Sequence, residues 1–209
     1  VLTDGKSFVT FPMAKDYIDK AGAIIDQKGG VSEDPKQTSK YYYYKGVIYY
    51  RISISQDPEV KGLDENAIEV AGESFLKLLD FEKQVGKERY TDKALGQLPY
   101  VAQALNARAY ERYETKDYSG AANDFIKTYE FKKNPAFGEN ARIDTTSYYY
   151  AGVMYNLAGD SDNAIKILSS VLEMGFNGYT FSATSAANGQ PQGFTTKANM
   201  DKQVELGVV

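Results

Sequence analysis

Tyr42-Tyr43-Tyr44-Lys45-Gly46-Val47-Ile48-Tyr49 and Tyr148-Tyr149-Tyr150-Ala151-Gly152-Val153-Met154-Tyr155 share the pattern YYYxGVxY. Two such aromatic runs in one chain mark an internal repeat. The first Tyr, the Gly and the last Tyr of each run are three to four residues apart, so they fall on one face of a helix. The second run continues into Gly159-Asp160, which ends the helix, and then into Ala164, Leu168 and Val171 at helical spacing. Each run therefore reads as the first helix of a helical hairpin.

The same punctuation organises the rest of the chain. Met13 to Gln27 carries Ala14, Tyr17, Ile18, Ala21, Ile24 and Ile25 at helical spacing and stops at Gly29-Gly30. Asp34-Pro35 opens a helix that runs to about Ile54, where Gln56-Asp57-Pro58 breaks it. Asp64 caps a third helix that ends at Gly86, and residues 87–97 are polar and ambiguous. Further helices are expected from about Leu98 to Lys116, from Tyr118 to Lys132, from Asp144 to Gly159, and from a cap at Ser161 or Asp162 to Gly175. The texture then changes. Tyr179 to Thr184 alternates and favours strand, Ala187-Asn188-Gly189 is a turn, Gly193 to Thr196 reads as a returning strand, and Lys197 to Leu206 as a short helix.

Composition narrows the chemistry. The chain has 209 residues, enough for one domain with a real core. It contains no Cys and no His. That excludes thiolate nucleophiles, Ser-His-Asp triads, thiolate- or imidazole-bound zinc, iron–sulfur clusters and disulfides. No phosphate-binding glycine motif occurs. The net charge of −4 and pI of about 5.0 attract neither nucleic acid nor an anionic membrane face. No apolar run approaches the roughly 18 residues of a membrane span. Glu65, Glu69 and Glu73 share a helical face and read as a solvated surface, and Asp160 to Asn163 reads as a helix cap, not a calcium loop. Neither a cofactor nor a metal is expected. The start at Val1 and the end at Val209 read as trimmed termini.

The second run and its continuation resemble a tetratricopeptide repeat, a 34-residue helix–turn–helix unit. Tyr148, Gly152, Tyr155, Ala164, Leu168 and Val171 stand at its packing positions. The first run matches with Tyr42, Gly46, Tyr49, Ala67, Ala71 and Phe75, and its turn is enlarged around residues 53–62. A middle copy carries Tyr113, Asp117-Tyr118, Ala121-Ala122 and Phe125. Its turn looks one residue short, and Arg112 falls on a normally aromatic position in one register. The resemblance implies an all-α fold, a superhelix of antiparallel helical hairpins. Residues 1–178 would form the repeat domain, with a half repeat over 12–30 and repeats over about 36–85, 98–135 and 144–178. Residues 179–209 would add a small β-hairpin and short helix packed on the last repeat, an ending similar to that of a group of exported bacterial proteins of this kind.

The resemblance also implies a function: non-catalytic binding of a protein or peptide in a concave groove lined by first helices. The groove residues would be Lys40, Tyr43, Tyr44, Arg51, Arg108, Glu111, Tyr149 and Asn156. Tyr42 and Tyr148 would be core. The lysine–asparagine clamp that some such proteins use for a C-terminal carboxylate is not supported, because Tyr and Val occupy the matching positions in two copies. Stacked tyrosine faces leave a glycan or small ligand as an alternative, and self-assembly in the cell envelope as another. The exported relatives imply a periplasmic or envelope location, with a cytoplasmic scaffold as the alternative.

Overall fold

The computed structural model describes residues 10–27, 34–140 and 144–175, and all its regular structure is helical. The helices are α1 (Phe11–Gln27), α2 (Pro35–Ser53), α3 (Pro58–Lys61), α4 (Ala67–Val85), α5 (Thr91–Glu114), α6 (Tyr118–Lys132), α7 (Thr145–Leu157) and α8 (Ser161–Glu173), with a 3₁₀ segment at Pro135–Asn140. The expected hairpin and final helix of 179–209, and the Gly29-Gly30 stop, lie outside the described residues. The chain divides into two compact units, Val1–Ala104 and Leu105–Val209, with the division falling inside α5.

Local chemistry accounts for most boundaries. Asp34, Asp57, Asp117, Asp144 and Asp160 each accept a backbone N–H from the first turn of the helix that follows. Each satisfies a donor that the helix itself cannot. The last helix is thus capped by Asp160, just before the expected Ser161 or Asp162. Asp57-Pro58, read as a break, opens α3 inside the enlarged turn with the same Asp-Pro device that opens α2. Gly86 closes α4 at φ 65°. α5 starts well before Leu98, in the stretch that looked ambiguous, and carries Pro99 in its interior.

In the first unit, α2 packs along α4 and also on α1. Tyr49, Ile52, Ala67 and Ala71 form a buried cluster, flanked by Phe11, Ile18 and Leu63. Gly46 sits where α2 crosses α4. A Cβ there would come within 2.6 Å of the Phe75 ring. Tyr49 donates from its hydroxyl to Asp19 of α1 (2.6 Å), and the Lys15 ammonium pairs with Asp19 (2.9 Å). Glu82 of α4 is fully buried. Its carboxylate accepts the backbone N–H groups of Arg89, Tyr90 and Thr91 and the Thr91 hydroxyl, all at 2.8–3.1 Å. It therefore caps α5 from across the hairpin.

In the second unit, α7 packs on both α6 and α8. Ala109, Ala121, Ala122, Phe125, Ala151, Met154, Ile167 and Val171 form the core. Gly152 is the counterpart of Gly46: a Cβ would come within 2.6 Å of Leu168. The two turns of this unit also correspond. Asp160 N–H bonds back to the Tyr155 carbonyl (2.9 Å) over a left-handed Gly159, and Asp117 N–H bonds back to the Arg112 carbonyl (2.8 Å) over a left-handed Lys116. The middle turn is not short. It is a full turn with Lys116 where the last copy has Gly, and it aligns Arg112 with Tyr155, Ala109 with Gly152 and Asp124 with Ile167.

Two predictions follow from this packing. Gly152→Leu forces a side chain into Leu168 and should cost about 3 kcal/mol in urea unfolding; an unchanged midpoint would remove the hairpin contact from the fold. Burial raises the pKa of Glu82, but hydrogen bonds from Thr91, Tyr90, Arg89 and Ser39 outweigh it and hold the carboxyl below its ordinary 4.5. With the folded value below the unfolded one, its stabilisation is complete above pH 4.5 and is lost as pH falls through the folded value. Glu82→Gln should lower stability at neutral pH by about 2 kcal/mol and flatten the acid limb of stability against pH.

Candidate functional site

The four tyrosines of α2 rotate about 100° per residue, so each meets a different neighbour. Tyr41 is the buried one. Its hydroxyl fills the space beside Gly22 of α1 and accepts from Lys45 Nζ at 3.1 Å. Tyr42, expected in the core, is half-buried and tilted against Tyr41 (5.1 Å between ring centres). The phase of the run is shifted by one residue from the repeat expectation. Tyr43 stacks on Tyr90 (4.9 Å, 23° between planes) and touches Phe75 (6.3 Å), and the Lys93 ammonium lies 6.0 Å and 5.6 Å from the two stacked rings. Burial pushes the Tyr43 hydroxyl above its ordinary pKa, so it stays a neutral phenol. Tyr44 stands edge-on to Tyr43 (5.4 Å). Its other side lines an open groove of about 450 Å³ with Ile18, Ala21, Ile24, Ile25, Gln37, Lys40 and Tyr41. The groove runs along the seam between α1 and α2.

Three of the sequence-predicted residues therefore gather in the first unit: Lys40 and Tyr44 in the groove, and Tyr43 on the shelf beside it. Arg51 is exposed in the last turn of α2 and is not among the residues that line the groove or the shelf. Tyr90, Lys93 and Gln37 belong to the same surface and were missed. Tyr90 and Lys93 sit in the stretch 87–97, which has no periodicity of its own.

In the second unit, Arg108 forms two parallel hydrogen bonds to Asp124 of α6, 2.8 Å from Nε and 2.7 Å from a terminal nitrogen. Arg112 adds a third contact at 3.3 Å. Asp124 has no exposed surface. Arg108 and Arg112 thus balance a buried charge, and Arg108 ties α5 to α6. Glu111 is exposed on α5. Tyr149 is half-buried and packs against the core cluster and, tilted, against Tyr150 (5.7 Å). Asn156 is half-buried near the end of α7. Tyr148, expected as core, is half-buried and lies face to face with Tyr129 of α6 at 4.4 Å. Of the three glutamates expected on a solvated face, Glu65 and Glu73 are exposed, Glu69 is partly covered, and Glu73 lies 3.9 Å from Lys77.

Among the described residues, no helix is long and apolar enough to cross a membrane, and no three acidic side chains are grouped to hold a metal ion. Compared with protein-family models, curated proteins and solved structures, the chain matches none. The architecture itself, helical hairpins built on a repeated run, is consistent with a helical repeat fold.

The Arg108–Asp124 geometry separates a structural arginine from a free one. Arg108→Ala removes the forked partner of a buried carboxylate, which Arg112 and Lys127 also approach, and should cost about 3 kcal/mol, whereas Glu111→Ala should cost under about 0.5 kcal/mol. Thermal unfolding of the two variants decides it; equal, small effects would return Arg108 to the set of groove residues.

Proposed function

We propose that this chain is a non-catalytic interaction module of the tetratricopeptide kind, holding a protein or peptide partner against the tyrosine-bearing face of α2. The observation that supports it is the shelf formed by Tyr43, Tyr90 and Lys93 beside Tyr44. Aromatic rings held by stacking lose little freedom on binding, and tyrosines and cations on such a surface are the side chains that most often anchor partners. The Tyr43 phenol, whose pKa burial raises, is a donor that a peptide backbone can meet. A partner with an extended or helical segment, apolar on one side and acidic beside Lys93 and Lys40, fits this surface. Tyr149 is packed on the core of its own unit and is not part of this surface. A periplasmic or envelope setting, with a cytoplasmic one as the alternative, is part of this reading and rests on the pattern read in the sequence of residues 179–209 alone.

The test is retention of proteins from the native host lysate by the wild-type chain and by Tyr43→Ala/Tyr44→Ala, compared at a temperature where both are folded. A protein held by the first and lost by the second supports the module and names its partner. Retention that ignores both tyrosines would overturn it. A saccharide that saturably shifts tyrosine fluorescence would replace the peptide with a glycan on the same shelf.

A further inference from the structure

Tyr90 is held by its ring and by its backbone. The ring lies on Tyr43 of α2, 4.9 Å away and 23° from parallel, with the ammonium of the exposed Lys93 5.6 Å from it. The backbone N–H donates to both carboxylate oxygens of Glu82, at 3.0 and 3.1 Å. Tyr90 is also the residue immediately before α5, and its carbonyl accepts the first bond of that helix, from the Ala94 N–H (2.9 Å). That position favours a short polar side chain, whose oxygen satisfies the free N–H groups of the first turn. A tyrosine hydroxyl stands too far from its own backbone to do this. The cap comes from Glu82, whose Oε2 accepts the N–H groups of Arg89, Tyr90 and Thr91 and the Thr91 hydroxyl.

The same residue closes the helix before. The Glu82 carbonyl accepts the Lys87 N–H (3.2 Å) where Gly86 ends α4. One residue thus pins the connection 86–90 at both ends. Ser39, one turn before Tyr43 on α2, also bonds the carboxylate, and Phe75, about two turns before Glu82 on α4, touches Tyr43. A carboxylate with no exposed surface costs more to bury than a serine or asparagine at position 90 would cost as a local cap. A helix start alone does not require it; a tyrosine at that start does. We propose that Glu82 is a positioning residue of the binding surface: by capping α5 from α4 it frees position 90 for a tyrosine and fixes that ring against Tyr43. This rests on the reading of the Tyr43–Tyr90–Lys93 shelf as the surface that meets a partner.

Proton NMR of the full chain with labelled tyrosine, at a temperature where every variant is folded, tests it without a partner. Stacked rings displace each other's resonances, and Tyr43→Phe and Tyr90→Phe assign the pair. Tyr129 and Tyr148, stacked at 4.4 Å in the second unit, serve as the internal control. In Glu82→Gln the Tyr43 and Tyr90 rings should lose their mutual displacement while Tyr129 and Tyr148 keep theirs. The amides of Tyr90 and Thr91 should exchange at least about tenfold faster. Thr91→Val removes one donor and keeps the carboxylate, so it should move the same two rings by less, and it carries the test if Glu82→Gln does not fold. Faster exchange with both rings unmoved makes Glu82 a helix cap only and overturns the proposal. All four rings moving together, the sign of general loosening, overturns it as well. Unmoved rings leave the partner test on Tyr43 and Tyr44 as it stands, and a partner indifferent to those tyrosines leaves the ring measurement as it stands, so the two readings fail separately.

Discussion

In both long hairpins a helix carrying the YYYxGVxY run reaches its second helix through a glycine, and the rest of the packing is set by that approach. At Gly46 and Gly152 the neighbouring side chains, Phe75 and Leu168, already occupy the space a Cβ would need. Close approach brings the second helix's apolar face into contact along its length, which is where Ala71 and Phe75 in one unit and Ala164 and Leu168 in the other lose their exposure. It also fixes the rotation of the first helix. Once Gly46 faces α4, Tyr41 and Tyr49 must face α1, Tyr43 must reach toward Tyr90, and Tyr44 is left beside the groove. The tyrosine surface is thus a consequence of the glycine, not a separate design.

Two fully buried carboxylates show the other constraint, that a charge inside must be answered. Glu82 is answered by N–H donors at the start of α5, Asp124 by the guanidinium of Arg108 later in the same helix. The alignment of the two turns in the second unit shows what the second arrangement replaces. Arg112 and Asp124 stand where the last hairpin has Tyr155 and Ile167, so an ion pair occupies the place of an aromatic–aliphatic contact. This exchange costs desolvation and gains geometric specificity: the forked Arg108–Asp124 bonds tolerate little sliding between α5 and α6.

Legibility in the sequence followed the range of the interaction. Helices whose ends are set by adjacent residues were readable: Asp34-Pro35 and Asp144 mark starts, the start of the last helix was placed one or two residues past its cap Asp160, and Gly86, Gly159 and Gly175 mark stops with the backbone that glycine permits. The start of α5 was not readable. Its cap is a side chain on α4, and Pro99, which locally resembles the first turn of a helix, lies inside one. The middle turn hid its register because Lys116 adopts a left-handed backbone without advertising it. The phase of the tyrosine run was illegible for a different reason: when four successive residues are all tyrosine, no polar position marks the outer face, and only the distant glycine contact selects which ring is buried. Arg108 was assigned to a binding surface because its partner is sixteen residues away on another helix.

The two copies of one eight-residue run make a controlled comparison inside a single chain. Both contain the same glycine and the same aromatic positions, so intrinsic preference is held constant and neighbours alone differ. In the second unit the final tyrosine of the triplet is closed in by Phe125 and Tyr110, and in the first it borders an open seam. Both rings are half-buried; what differs between the copies is the neighbour that borders them, and that is a property of position in the chain. Burying apolar surface is worth about 25 cal/mol for each Å² removed from water, and α1, which carries the exposed side chains of Met13, Tyr17 and Ile24, forms one wall of the groove. A chain that repeats a packing unit thus gives the same aromatic position different neighbours in each copy: Tyr44 beside the α1–α2 groove, Tyr150 against side chains of α5 and α6.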